Sequence, residues 1–105
     1  MFDSRRFEKN LKLLIAASLG GPMRYRILHE LIAMPQNPNQ LAELLGVDYK
    51  TVTHHLSVLK KNNLVTSDMG SYGEVFFCSF TSEQKQVFDE LWIKIGSMPQ
   101  FGKKL

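Results

Sequence analysis

The chain has 105 residues, 44% of them hydrophobic, and a formal net charge of +3, which suits one small domain and permits nucleic-acid binding without requiring it. No apolar run approaches the length of a membrane-spanning helix, and the N-terminus lacks the apolar region and cleavage site of a signal peptide, so we expect a cytoplasmic protein without a membrane partner. A single cysteine excludes an internal disulfide and provides no cluster of metal ligands.

Two helices are predicted in the first third of the chain. The first covers about residues 3–17 and the second about residues 23–34, and the break between them contains Gly20, Gly21 and Pro22. The apolar face of the first helix consists of Phe7, Leu11, Leu14 and Ile15, and that of the second consists of Ile27, Leu28, Leu31 and Ile32.

Residues 37–59 predict two short helices joined by a tight turn. Asn37 and Gln40 have the spacing of a reciprocal capping box at the start of the first helix. Gly46 ends that helix where a positive φ angle is favourable, and Asp48 can cap the second. The buried side of the first helix is predicted to be Leu41, Ala42, Leu44 and Leu45.

The second of these helices, residues 48–63, divides into an apolar and a polar face. Val52, Leu56 and Leu59 recur at the spacing of a narrow buried stripe, with His55 beside it in an expected structural role. The opposite face carries Lys50, His54, Ser57 and Lys61, with Thr53 next to them. A helix-turn-helix needs this division, because one side must be anchored while the other offers donors to a DNA groove.

A β-hairpin and a last helix complete the predicted elements. Strands are expected at about residues 64–69 and 74–80, on either side of a turn bracketed by glycines. A T-x-x-Q capping box at Thr81 opens the last helix, which continues to about residue 95. Its wide apolar face contains Val87, Phe88, Leu91, Trp92 and Ile95.

Charge is distributed unevenly between these elements. Residues 1–30 contain six basic and three acidic side chains, a net charge of +3. Residues 36–80, which include the helix-turn-helix, contain three basic and four acidic side chains, a net charge of −1. This balance counts against strong sequence-independent binding to DNA.

The order helix, helix, helix-turn-helix, hairpin, helix is that of a winged-helix domain, a mainly α fold with a small β-hairpin. The runs LGGPMRYRILHELI, NQLAELLGVDYKTVTHHLSVLKKNNLV and EVFFCSFT, from about Leu19 to Thr81, resemble the ArsR-type winged-helix transcriptional regulators. The chain is then one domain, residues 1–105, with a DNA-binding core at 19–81 and flanking dimerisation helices at 1–18 and 82–96.

The resemblance implies a homodimeric repressor that binds double-stranded DNA with the helix at 48–63 in the major groove. We expect no cofactor, and the sequence does not identify an effector. The residues carried over to DNA contact are Tyr49, Lys50, Thr53, His54 and Ser57, together with Arg24 and Arg26 near the start of the second helix. Lys61, at the end of the polar face, is expected to contact a phosphate.

The width of the two terminal apolar stripes also predicts a dimer. A two-fold interface would bury apolar side chains that one small core cannot cover. The predicted interface residues are Phe7, Leu11 and Ile15 of the first helix and Phe88, Leu91, Trp92 and Ile95 of the last. The alternative is that both stripes are buried within one chain.

Departures from the family pattern limit these expectations. Metal-sensing members place a Cys-x-Cys pair in the first helix of the turn motif, where this chain reads LAELLG, and Asp89 and Glu90 of the last helix have no accompanying histidine, so we expect no metal. Asp68 and Glu74 flank the wing turn and would repel phosphate. A winged helix that binds proteins instead of DNA is therefore the alternative function, whereas no catalytic arrangement favours an enzyme.

Overall fold

The computed structural model describes residues 3–71 and 73–95, so both ends of the predicted 1–105 domain lie outside the described residues. The elements are α1 (Ser4–Leu11), a π-helical segment (Lys12–Ala16), α2 (Gly21–Ala33), α3 (Pro38–Leu45), α4 (Tyr49–Lys61), β1 (Thr66–Gly70), β2 (Gly73–Phe77) and α5 (Ser82–Ile95). The predicted winged-helix order is confirmed. Within the described ranges, no helix is both long enough and apolar enough to cross a membrane.

The chain divides into two compact units. Of the described residues, 3–22 with 80–95 form the terminal unit, and 23–71 with 73–79 form the central unit. These limits lie close to the predicted core at 19–81, whereas the prediction that 1–105 is one domain stays a prediction.

In the terminal unit, α1 packs against α5. Asp3 caps α1, because its carboxylate accepts hydrogen bonds from the amides of Arg5 and Arg6 at 3.1 and 3.2 Å. Phe80 contacts the rings of Phe7 and Phe88, with centroid distances of 5.3 and 5.9 Å. The core side chains of this unit are Leu11, Ile15, Phe88, Leu91 and Ile95, each at most 3% exposed.

The first helix is not the continuous α-helix that its periodicity predicts. Its last five residues are π-helical, and the carbonyl oxygen of Ile15 comes so close to α2 that a Cβ on Gly21 would lie 1.6 Å from it. Only glycine fits here, because any side chain would occupy the position of the carbonyl. The break at Gly20–Pro22 is therefore a close backbone approach, and α2 begins earlier than predicted.

The central unit contains the helix-turn-helix and the hairpin. β1 and β2 pair antiparallel from Thr66 opposite Phe77 to Gly70 opposite Gly73. A bridge that the sequence did not predict adds a third segment to β2, since Gln36 and Phe76 exchange backbone hydrogen bonds of 3.0 and 2.9 Å. The buried side chains around this frame are Ile27, Leu28, Leu31, Leu41, Leu45, Val52, Leu56, Leu59, Leu64, Val65 and Phe76.

One predicted core residue of α3 is wrong. Leu41 and Leu45 are buried, but Leu44 is 54% exposed. At 100° per residue, Leu44 lies about 60° to one side of Leu41, beyond the narrow stripe that an eight-residue helix can bury.

Candidate nucleic-acid interface

Local capping fixes where α3 and α4 begin and end. The Asn37 side chain accepts from the Gln40 amide and the Gln40 side chain accepts from the Asn37 amide, both at 2.8 Å, so the predicted capping box is confirmed. Gly46 has a φ angle of 69° and ends α3 in the left-handed conformation. Asp48 accepts from the Thr51 amide at 2.7 Å, and this bond holds the pKa of the Asp48 carboxyl below its ordinary value.

The two faces of α4 separate as its periodicity predicts. Val52, Leu56 and Leu59 are at most 1% exposed. Opposite them is the exposed face of α4, which consists of Tyr49, Lys50, His54, Ser57 and Lys61. The buried stripe fixes the helix in the central unit, so the exposed face is presented by a rigid element.

Thr53 differs from its neighbours on α4. Its side chain is half-buried, and its hydroxyl donates to the carbonyl oxygen of Lys50 at 3.1 Å. An i−3 hydrogen bond of this kind occupies the hydroxyl proton. Thr53 therefore offers less to a ligand than the adjacent His54, which is exposed.

A cleft of about 330 Å³ lies between α4 and the wing. One wall is a single stripe of α4, namely Tyr49, Thr53, Ser57 and Lys60. The other walls are the start of α3, at residues 37–39, and the β2 residues Gly73, Glu74 and Phe76. The polar wall of α4 therefore faces the wing as well as solvent.

The wing carries two acidic residues, Asp68 and Glu74, and within the part of the chain that the structure describes only Glu74 of the two forms an ion pair. The carboxylate of Glu74 lies 3.2 Å from the ammonium of Lys60 and accepts a hydrogen bond from the Ser67 hydroxyl. These two hydrogen bonds, that of Ser67 first, hold the pKa of Glu74 below its ordinary value. Asp68 is exposed on the adjacent strand.

Arg24 does not reach the exposed face of α4. It is 9% exposed, and its Nε donates to Nδ1 of His55, itself 8% exposed, at 3.3 Å. Burial lowers the pKa of His55, and the charges of Arg24 and His54 lower it further. Arg24 therefore has little exposed surface to offer to DNA, and its predicted DNA contact stays a prediction. His55 has the structural place expected for it, and the half-buried Arg26 stays a predicted contact.

Most of the predicted dimer interface is buried within one chain. Leu11, Ile15, Phe88, Leu91 and Ile95 are core residues of the terminal unit, so their burial requires no partner. Phe7 and Trp92 are half-buried. The expectation that these stripes exceed what one core can bury is corrected, because α1 and α5 cover each other.

Three residues have structural places that were not predicted, namely Lys60 and Gln36 in the central unit and Leu13 in the terminal unit. Contacts with β2 fix Lys60, through Glu74, and Gln36, through Phe76. Leu13 lies in the π-helical segment. The sequence does carry one signal for Leu13, which falls outside the apolar stripe of its helix and is 57% exposed. Among the described residues, no three histidine, cysteine, aspartate or glutamate side chains are grouped so that they could hold a metal ion.

Comparison with known proteins agrees with this geometry. Residues 21–67 match the family model described as bacterial regulatory protein, arsR family. This segment, somewhat under half of the chain, extends from the start of α2 into β1 and includes the whole helix-turn-helix. No curated protein matches the chain.

Solved structures share the fold at low sequence identity. The transcriptional regulator SlyA is 14% identical with a TM-score of 0.59, and the match covers 94% of this chain and 71% of SlyA. The transcriptional regulator BldR from Sulfolobus solfataricus is 17% identical with a TM-score of 0.58, over 94% and 76% of the two chains. A MarR-family transcriptional regulator from Silicibacter pomeroyi is 19% identical with a TM-score of 0.55, over 93% and 73%.

The class of protein follows from the fold and the family match together. The fold is that of winged-helix transcriptional regulators, and the predicted resemblance to the ArsR type is confirmed over residues 21–67. Residues 21–67 carry the helix-turn-helix of the arsR family of bacterial regulatory proteins, and this match supports a DNA-binding transcriptional regulator and not an enzyme.

Proposed function

We propose that this regulator is a cytoplasmic homodimeric repressor that reads its operator with the exposed face of α4. The observation that carries the proposal is the division of α4 into a buried stripe and an exposed face, with Asp48 fixing the start of the helix. His54 and Ser57 are the base-reading candidates, because histidine and serine offer hydrogen bonds to base edges in the major groove.

The flanking residues of the exposed face have positioning roles. Lys50 and Lys61 lie near the two ends of α4, where lysines suit contacts with the phosphates on either side of a groove. Tyr49 is 52% exposed and adds a hydroxyl donor at the first turn. Thr53 contributes its methyl group to a base, since its hydroxyl proton is already used. Arg26 completes the proposed set of phosphate contacts.

A second copy of the chain is proposed to dock on the terminal unit. A groove of about 390 Å³ has an apolar floor that includes Leu13, Ala16 and Ala17. The two small alanines allow a partner helix to approach closely. Lysines line its rim, but Lys12 and Lys94 lie 3.1 and 3.6 Å from the carboxylate of Glu8, which limits the repulsion between two copies.

A protein-binding winged helix is the second candidate. The net charge of −1 over residues 36–80 and the acidic pair Asp68 and Glu74 favour it, because sequence-independent DNA affinity depends on neutralising phosphates.

Binding to DNA at several salt concentrations separates the two candidates. The wild-type chain is titrated against genomic duplex fragments and against random duplex. A DNA reader shows some fragments bound well above random duplex, with affinity that falls steeply as salt rises. Uniformly weak binding at 50 mM salt would contradict the proposal and favour the protein-binding alternative.

A further inference from the structure

Three side chains form a cluster between the end of α4 and the wing, all within the central unit. The ammonium of Lys60 donates to the Ser67 hydroxyl at 2.8 Å and to the Glu74 carboxylate at 3.2 Å. The Ser67 hydroxyl in turn donates to the same Glu74 oxygen. Each member is therefore bonded to the other two.

The cluster leaves little of the Lys60 charge for another partner. The ammonium has three protons, and two of them are used by Ser67 and Glu74. It also lies 5.8 Å from the centroid of the Phe76 ring, within range of a cation–π interaction. The Lys60 side chain is nevertheless 50% exposed, so its charge is held in place by these contacts and not by burial.

Lys60 lies beside the surface that we propose contacts DNA. It lines the cleft in the same α4 stripe as Tyr49, Thr53 and Ser57, and the proposed phosphate contact Lys61 is the next residue. A lysine in this position would ordinarily contact the phosphate backbone. Glu74 places a carboxylate at that point instead.

We propose that Glu74 masks Lys60 and thereby limits the sequence-independent part of the DNA affinity. This inference rests on the proposed DNA binding and assigns a role to a contact outside the base-reading residues. Phosphate contacts strengthen binding to every sequence alike, and a genome offers an excess of competing sites. Masking one of the three lysines in residues 36–80 therefore weakens retention on random DNA.

The test measures the salt dependence of binding for Glu74→Gln. Freeing Lys60 adds one phosphate contact, which steepens the slope of log K against log salt by about 0.9. A slope change of about 0.9 over the one decade from 1 M to 0.1 M salt corresponds to a factor of about eight. Affinity for random duplex at 0.1 M salt is therefore expected to rise about eightfold. Affinity for a selected target rises by the same factor, so the ratio of the two stays unchanged.

Two further variants separate masking from other effects of the substitution. Asp68→Asn removes an equal charge from the neighbouring strand without freeing a lysine, and it leaves the slope at the wild-type value. Lys60→Met combined with Glu74→Gln removes both charges and returns the slope to wild type. A displaced wing would instead change the ratio of target to random affinity.

The outcomes distinguish this inference from the proposed function. If the wild-type chain binds duplex DNA but Glu74→Gln has an unchanged slope, masking is refuted while DNA binding stands. If the gain in slope persists in the double variant, it comes from another group and masking is likewise refuted. Absence of salt-dependent binding in the wild type would refute the proposed function itself.

Discussion

At the scale of single residues, burial decides which basic and polar groups are available to DNA. Arg24 and His54 are both candidates by sequence, because the resemblance to the ArsR type carries DNA contact over to both. The structure separates them, since Arg24 is buried against His55 whereas His54 is exposed. Periodicity predicts the side on which a residue of α4 lies, but it cannot predict a partner 31 positions away in the chain.

The Arg24–His55 contact predicts a pH dependence of stability. Because Arg24 Nε donates to His55 Nδ1, His55 is neutral in the folded state, and its folded pKa lies below the ordinary value of 6.5. The stability supplied by the neutral form is complete above the unfolded pKa and is lost as pH falls through the folded pKa. We expect the unfolding free energy of the wild type to fall below pH 6.5, with a slope of at most about 1.4 kcal/mol per pH unit from this group.

Urea denaturation from pH 7.5 to 5 checks this expectation. His55→Gln keeps an acceptor for Arg24 but cannot titrate, so its stability should depend less on pH than that of the wild type. His29→Gln, at an exposed histidine that is not among the charges shifting the pKa of His55, is the matched control and should retain the wild-type dependence. Parallel curves for the wild type and His55→Gln would contradict the assignment.

The base-reading residues give a second prediction at this scale. Thr53→Ala combined with His54→Ala removes the methyl and imidazole groups proposed to contact base edges, each good contact being worth about 1–3 kcal/mol of discrimination. We expect the ratio of target to random affinity to fall close to one while the thermal unfolding curve stays near that of wild type. Gln86→Ala, at an exposed position of α5, should leave the ratio unchanged. A double variant that still selects the same sequence would show that α4 is not the reader.

At the scale of elements, helix caps formed by neighbouring residues were predictable from the sequence, whereas contacts between separate segments were not. The caps of α3 and α4 follow from Asn37, Gln40, Gly46 and Asp48, because each acts within a few residues. The bridge of Gln36 to β2 and the π-helical end of the first helix depend on contacts between separate segments. Gly20 and Gly21 are the one sequence signal for the π-helical end, and the same two glycines are equally typical of an ordinary break between helices.

The approach of α2 to the π-helical segment predicts an intolerant glycine. In Gly21→Ala, the new Cβ would lie 1.6 Å from the Ile15 carbonyl oxygen, so the backbone itself must move. We expect a loss of about 3 kcal/mol or more in unfolding free energy, at the upper end of overpacking effects. Gly70→Ala is the matched control, since its nearest contact would be an ordinary 3.4 Å. Equal unfolding free energies for the two variants, measured by chemical denaturation, would contradict this packing.

At the scale of the whole molecule, the proposed dimer depends on what the terminal unit leaves exposed. The sequence predicted α1 and α5 as the interface because both have wide apolar stripes. Their inner residues are buried in one chain, so the case for a dimer now rests on the groove with Leu13, Ala16 and Ala17. A single sequence cannot distinguish these situations, because a stripe that meets its own chain and one that meets a second copy have the same periodicity.

The proposed interface predicts different effects for two glutamate variants. Leu13→Glu changes a side chain that is 57% exposed, so we expect a folded monomer in sedimentation at micromolar concentration. Leu91 is 3% exposed, so Leu91→Glu places a charge in the core of the terminal unit. We expect this variant to unfold instead of forming a folded monomer.

Met34→Glu is the control for a new exposed charge, since Met34 is 58% exposed in the central unit, and it should leave the dimer intact. A monomeric wild type would refute the interface, and so would a dimeric Leu13→Glu.

Selection of bound fragments from a random DNA pool tests the central claim most directly, since that claim is sequence-specific reading by two copies of α4. A two-fold dimer should recover a palindrome whose half-sites are about 10–10.5 base pairs apart, or a multiple of that spacing. The same selection with Thr53→Ala and His54→Ala should recover no shared sequence. A pool in which the wild type enriches no motif would contradict the account.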